Sequence, residues 1–458
     1  MMKKDDKKKI LKRISIILAI ALIVGVWFFL NSKLIFGEDW ISPTYDKESW
    51  RTNEGDLHTF GAWDIETHIW KSEYIFENFP NFQYNPYWYM GMPLLKYYQS
   101  SFYILNIVVK FLTGTSFARA ALLLIIYAHL LATLLTFLVC YSISKKEWVS
   151  SLLSIFLLSL SFISLRSYGW EPITVVFLFL YPLGLYYFLK EPEKPFRLSL
   201  IIIMALSYLS HPLIFFSLAM TFGLYLFSLA ITEKRIGLNQ KHEPYILKYF
   251  VLVFVSLLIS AVQFFPQISY NQVTSGAHMG VSYIPFYHVQ YNVISIGEFL
   301  FSATNLKGPG FIILVSFFIF LTFYYIERGI KKNNREFFEF LKGERKTLFS
   351  NHIVRGFLFV LVFMILFYYL ELYNIFPMNI LRSIQYHRII PEFVIASAVL
   401  VAGMSNIINT RGEKILYYSF LIGFVLASLF VVYDIQDEWD TTSDISSSPE
   451  FITDAFEG

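Results

Sequence analysis

Runs of roughly 20 apolar residues recur along this chain, and that length limits its fold more than any other feature. At about 1.5 Å rise per residue, such a run spans a bilayer's hydrocarbon core as a single helix. Hydropathy gives about 11 of them, at 14–31, 117–143, 148–166, 171–189, 198–211, 212–232, 247–266, 310–327, 354–371, 389–408 and 415–433. The composition agrees. The 458 residues are 56% hydrophobic and 16% charged, with a mean hydropathy of +0.52, whereas soluble domains are about a quarter charged. The expected fold is an all-α polytopic membrane protein. The lone Cys140 lies inside an apolar run and allows no intramolecular disulfide.

Charge distribution sets the expected orientation. Lys3, Lys4, Lys7, Lys8, Lys9, Lys12 and Arg13 precede the first run, which is long enough to span and reads as a retained signal anchor. With the N-terminus cytoplasmic, the inner segments hold 26 of the 37 Lys+Arg residues, and 22 of the 34 acids fall outside. That asymmetry follows the positive-inside rule. The apolar stretch 100–113 is too short to cross, and counting it as a span would put Lys145 and Lys146 outside. It is expected to be interfacial or re-entrant. The membrane domain is then 1–433, with a first extracytoplasmic loop at 32–116 and a second at 267–309. The acidic segment 434–458 is expected to be an outer tail or the opening of a soluble domain.

The first outer loop carries the most chemistry. Residues 61–79 read as a helix, on which Asp64 and His68 fall one turn apart on one face, with Glu66 between them. Asn85-Pro86-Tyr87-Trp88-Tyr89 and Gly91-Met92-Pro93 follow, turn chemistry rich in aromatics that suits the headgroup level. One reading is an aromatic belt beside a solvated amphipathic helix. The other makes Asp64 and His68 a functional pair: a partly desolvated carboxylate gains basicity and accepts a proton, while an imidazole orients it. The pair also suits a divalent cation, Mg or Mn, although it supplies only two ligands. Glu54, Asp56 and His58 form a rival cluster on a loop, and Glu38-Asp39 lies nearer the first helix.

A second constellation, Arg382-Ser383-Ile384-Gln385-Tyr386-His387-Arg388, leads into the run at 389. By parity it lies outside, against the usual exclusion of arginine there. Guanidinium forks at a helix N-terminus match phosphate; snorkelling to lipid phosphates is the plainer alternative. Lys96, beside Tyr97 and Tyr98, reads as a phosphate contact or as a cation on an aromatic face. His211, in the break Ser210-His211-Pro212, reads as a turn residue or as part of the lining of the same outer cavity. Walker-type loops, cysteine metal cages and Gly-x-Ser-x-Gly elbows are missing from the sequence, and nothing in it points to nucleic acid.

Asp64-x-x-x-His68, Asn85-Pro86-Tyr87-Trp88 and Gly91-Met92-Pro93-Leu94-Leu95-Lys96-Tyr97-Tyr98 resemble the first outer loop of a prokaryotic membrane family labelled as related to 6-pyruvoyl-tetrahydropterin synthase. Ser210-His211, the segment 261–266 and the segment 385–388 extend the likeness. That family resembles the GT-C membrane glycosyltransferases. The resemblance implies a multi-pass protein of a prokaryotic plasma membrane that uses a polyprenyl-phosphate-linked sugar donor on the extracytoplasmic face. The acceptor would be a glycan, a lipid or a protein. By position, Asp64 would be the loop acid and Arg388 the donor-phosphate contact, with His387, Arg382 and Lys96 beside it. Glu66, Trp88, Tyr97, Tyr98 and His211 would line the cavity. The family's Tyr-Pro-Pro-Leu is replaced by Tyr97-Tyr98-Gln99-Ser100, and the Trp-Trp-Asp-Tyr-Gly signature of oligosaccharyltransferases is absent. The alternative from another class is a transporter or flippase of lipid-linked or polysaccharide intermediates. It predicts charges deep inside spans and broken helices at mid-membrane.

Overall fold

The computed structural model describes residues 4–36, 63–81, 84–85, 92–93, 100–167, 172–235, 243–263, 265, 351–369 and 390–408, and parts of 411–426. Regular structure there is α-helical, apart from a two-residue antiparallel pairing of β1 (Tyr84–Asn85) with β2 (Met92–Pro93). The predicted run at 310–327, the loop 267–309 and the tail 434–458 lie outside the described residues.

Among the described residues, three helices contain stretches long and apolar enough to cross a membrane: Asp5–Ser32 within α1 (Lys4–Phe36), Phe117–Ser144, which is α4, and Pro212–Ile231 within α9 (Pro212–Arg235). The other described runs form shorter helices. They are α5 (Glu147–Ser167), α6 (Pro172–Phe177), α7 (Leu180–Lys190), α8 (Leu198–Ser210), α10 (Glu243–Ile259), α11 (His352–Tyr369) and α12 (Ile390–Met404). The stretch expected not to cross is α3 (Ser101–Thr113), of 13 residues.

Hydrogen bonds between helices fix their relative directions. Ser15 donates to Glu147 at 2.7 Å and Ser151 donates to the Ala19 carbonyl at 3.0 Å, so α1 and α5 run parallel, matched one turn apart. Trp27 donates to Ile126 and Arg119 to Ile35, which sets α4 antiparallel to α1. Ser256 of α10 and Ser260 just past it reach the carbonyls of Ile201 and Ala205, again a parallel pair, and each hydroxyl also reaches the carbonyl four residues back in the chain. Small hydroxyl residues at such contacts let helix axes approach while adding a polar link.

One end of the bundle gathers basic chain. Lys145 closes α4 in the left-handed region at φ 57°. The Lys146 ammonium donates to the Ser405 carbonyl just past α12, and Asn406 donates to Ile143 at 2.9 Å. Burial, with the nearby Lys414 charge, holds the Lys146 ammonium below the usual lysine value. At the linker between α7 and α8, Glu191 pairs with Lys194 at 3.2 Å and with Arg197 at 3.7 Å.

One interruption was hidden in the apolar pattern, and one was expected at Ser210-His211-Pro212. The run expected as one span at 171–189 breaks between α6 and α7 at Leu178–Phe179. Pro182 explains it: the ring lacks an N–H for the Leu178 carbonyl and crowds it. That carbonyl accepts from Tyr181 N instead, at 3.0 Å. Pro212 does the same between α8 and α9, pushing His211 into extended backbone at φ −158° and ψ 116°. Close packing follows at glycine. A Cβ at Gly184 would meet Leu218 of α9 at 2.8 Å, and one at Gly356 would meet the Tyr225 ring at 2.3 Å.

Candidate functional site

The helix expected at 61–79 is α2 (Trp63–Glu77). Lys71, Ser72 and Ile75 are buried and His68 is half-buried, at the i, i+3, i+4, i+7 spacing of one helical face. By register, Asp64 sits one turn before His68 on the same stripe. This face packs on α3 and α4.

His68 makes the defining contact. Its Nδ1 lies 3.0 Å from the Tyr103 hydroxyl of α3, and the two rings stack with centroids 5.7 Å apart. Phe102 meets the same imidazole edge-on at 6.0 Å. Phe102 and Tyr103 are fully buried, and each contributes about 1.5–3 kcal/mol of apolar burial to holding the helices together. At the far end of α3, the Lys110 ammonium lies 4.5 Å from the Phe76 ring and 5.1 Å from the Phe117 ring, tying α2, α3 and α4 by cation–π attraction. Gly114 then takes φ 68° and caps α3 with a bond from its N–H to the Lys110 carbonyl at 2.8 Å. The left-handed conformation explains glycine there.

The N-terminus of α3 reaches a second predicted feature. Ser101 donates to the Leu209 carbonyl at 3.0 Å, two residues before His211 at the α8–α9 break. His211 is itself buried. The first turn of α3 therefore links the helix that carries Asp64 and His68 to the break that carries His211.

No family model, curated protein or solved structure matches this chain.

The remaining predicted residues divide by position. Asp64 and Glu66 lie on α2. Lys96, Trp88, Tyr97, Tyr98, Arg382, His387 and Arg388 lie outside the described residues. The expected meeting of Asp64 with Arg388 therefore lies outside them as well. For a divalent cation, no group of three His, Cys, Asp or Glu side chains converges among the described residues.

Sequence reading missed four residues. Tyr103 is the partner of His68. Lys71 lies fully buried one turn beyond His68. Asn106, on the buried face of α3, has both amide atoms without a hydrogen-bond partner among the described residues. Glu392, in the first turn of α12, is fully buried. The signal for Lys71 was its place on the stripe with His68. The signal for Glu392 was a carboxylate inside a predicted span, which marks function by default.

Proposed function

We propose that this chain is a membrane glycosyltransferase of the GT-C kind, crossing a plasma membrane about 11 times with its N-terminus in the cytoplasm. A sugar on a polyprenyl phosphate would be transferred to an acceptor at the extracytoplasmic face. The parallel pairing of α1 with α5 and of α8 with α10 agrees with alternating crossings in which α3 is not counted. The observation that carries the reading is the docking of α2. A catalytic base works only when its backbone is held at the reaction centre, and the His68–Tyr103 contact ties the helix bearing Asp64 to the bundle beside the α8–α9 break.

In this mechanism Asp64 takes the proton of an acceptor hydroxyl as its oxygen forms a bond to the anomeric carbon. The bond from that carbon to the donor phosphate breaks, and the phosphate leaves with the electron pair. Attack opposite the leaving group inverts the configuration. A phosphate leaving group needs positive charge rather than a general acid, the role proposed for Arg388 with Arg382, His387 and Lys96. His68 acts through α2 to position Asp64. No step is routed through a metal.

The test is transfer from a synthetic polyprenyl-phosphate sugar by the purified full chain in proteoliposomes. Asp64→Asn that folds as the parent does is expected to lose at least about 100-fold in rate, the scale of a missing general base. Full activity in that variant removes Asp64 from catalysis.

A flippase or transporter of lipid-linked intermediates is the second reading, and one observation favours it. Glu392 is fully buried within the bundle, and one apolar run is interrupted at Leu178–Phe179, the features that reading predicts. Translocation of a fluorescent lipid-linked sugar without transfer would support it over the first.

A further inference from the structure

We propose that the end of the bundle where α1 meets the α4–α5 turn binds the headgroup of an acidic phospholipid, with Lys12 and Lys145 as the cations for its phosphate and Trp148 beside its glycerol. The site lies apart from the α2–α3 site and stands whether or not the chain transfers sugar.

Three contacts assemble the site. The Lys12 ammonium lies 6.0 Å from the centre of the Tyr141 ring. One turn on, Ser15 donates to Glu147 at 2.7 Å, so this part of α1 is held against the end of α4 and the start of α5. Lys145, one turn after Tyr141, donates its backbone N–H to the Tyr141 carbonyl at 2.9 Å and takes the left-handed conformation that ends α4. Lys145 is exposed, as are Lys12 and the neighbouring Lys7, Lys8, Lys9 and Arg13. Across α1 and the α4–α5 turn these cations outnumber the acids. Of those acids, Glu147 takes the Ser15 hydroxyl, and Asp5 and Asp6 lie nearly two turns before Lys12.

Charge alone would suit any anion; the apolar surface around it selects a lipid. Ile10 and Leu11 are exposed within the basic turns of α1, and Ile14, Ile17 and Leu18 continue that exposed apolar surface along the helix. With 33 residues, α1 is roughly 50 Å long, against about 30 Å of hydrocarbon. The surplus leaves its basic first turns at headgroup level. There, lysine stems lie along apolar chains while their ammoniums reach phosphate. Trp148, exposed in the first turn of α5, carries the amphipathic ring that favours the same layer.

The experiment is thermal unfolding of the full chain in phosphatidylcholine nanodiscs in which a rising fraction is replaced by phosphatidylglycerol, at constant ionic strength. Phosphatidylglycerol is expected to raise Tm saturably. Lys12→Gln and Lys145→Gln, both at exposed positions, are each expected to raise the half-saturating fraction about fivefold, the scale of one lysine at an anionic surface. Lys12→Arg and the control Lys194→Gln on the α7–α8 linker are expected to keep the parent value. A Tm that ignores phosphatidylglycerol overturns the proposal, as does an equal response in the parent and both glutamine variants. A comparable loss in Lys194→Gln marks diffuse surface charge and overturns it too. So does a Tm rise with soluble glycerophosphate in pure phosphatidylcholine, which marks a site for a free anion. Sugar transfer is not measured, so the result is independent of the enzymatic reading.

Discussion

His68 and Tyr103 are joined twice over, by a 3.0 Å contact between Nδ1 and the phenol oxygen and by stacking of their rings at 5.7 Å. Tyr103→Phe keeps the stack and removes the polar link. The expected cost is about 1 kcal/mol, confined to the docking of α2. Hydrogen exchange should therefore quicken across residues 63–77 while α4 and α5 keep their protection. Uniform loss of protection would mean that the pair supports the whole bundle instead.

Gly356 tests how tightly α9 and α11 are packed. A methyl at this position would lie 2.3 Å from the Tyr225 ring, whose hydroxyl is 2.7 Å from His352 Nδ1. Gly356→Ala is expected to cost about 1–3 kcal/mol by overpacking, read as a lower Tm. Gly25→Ala is the control: nothing lies within 4 Å of a Cβ there, so it should be neutral or slightly stabilising, as alanine favours helix.

Lys146 and Asn406 form a latch where the α4–α5 turn meets the end of α12. One donates to Ser405 and the other to Ile143. Lys146→Met and Asn406→Ala are each expected to cost about 1 kcal/mol. The double variant should depart from additivity by about 0.5 kcal/mol or more, because both bonds close one junction. Strict additivity in denaturant titrations would show two independent contacts.

The linker between α7 and α8 gives a pH prediction. The hydrogen bond from Lys194, with its charge and those of Arg197 and Lys190, holds the Glu191 carboxyl below the usual glutamate range. The folded-state value is lower than the unfolded one, so the unfolded chain binds more protons at acid pH. The pair's contribution is thus in place above the ordinary glutamate value and is lost as pH falls below it. Because the Glu191 side chain is well over a third exposed, solvent screens the pair and the effect is small. The Tm difference between parent and Glu191→Gln should shrink toward zero on acidification; a constant difference from pH 7 to pH 3 would contradict the pairing.

Much of the helical framework could be read from the residues, because length and apolar content decide it. The helix expected at 61–79 is found at Trp63–Glu77, and 117–143 is found at Phe117–Ser144. What escaped is what a hydropathy average cannot resolve. The window over 171–189 stays apolar through Pro182, so the break at Leu178–Phe179 leaves no mark in it. A single carboxylate in the run 389–408 is likewise outvoted by its neighbours, which hid Glu392. At the candidate site, the stripe of His68, Lys71, Ser72 and Ile75 was open to local reading. Tyr103, 35 residues on from His68, was not, since its role depends on how α3 folds back on α2.

The paired serines at the C-terminal end of α10 and just past it bear on how that helix can move. Ser256 and Ser260 each carry one proton within reach of two carbonyls, one across on α8 and one in α10 itself. If the helices separate, the proton reverts to the local acceptor and no orphaned hydroxyl is left facing hydrocarbon. The seam between α8 and α10 can thus open without the usual polar penalty and reseal in the same register. That is the behaviour of a reversible zip rather than a weld.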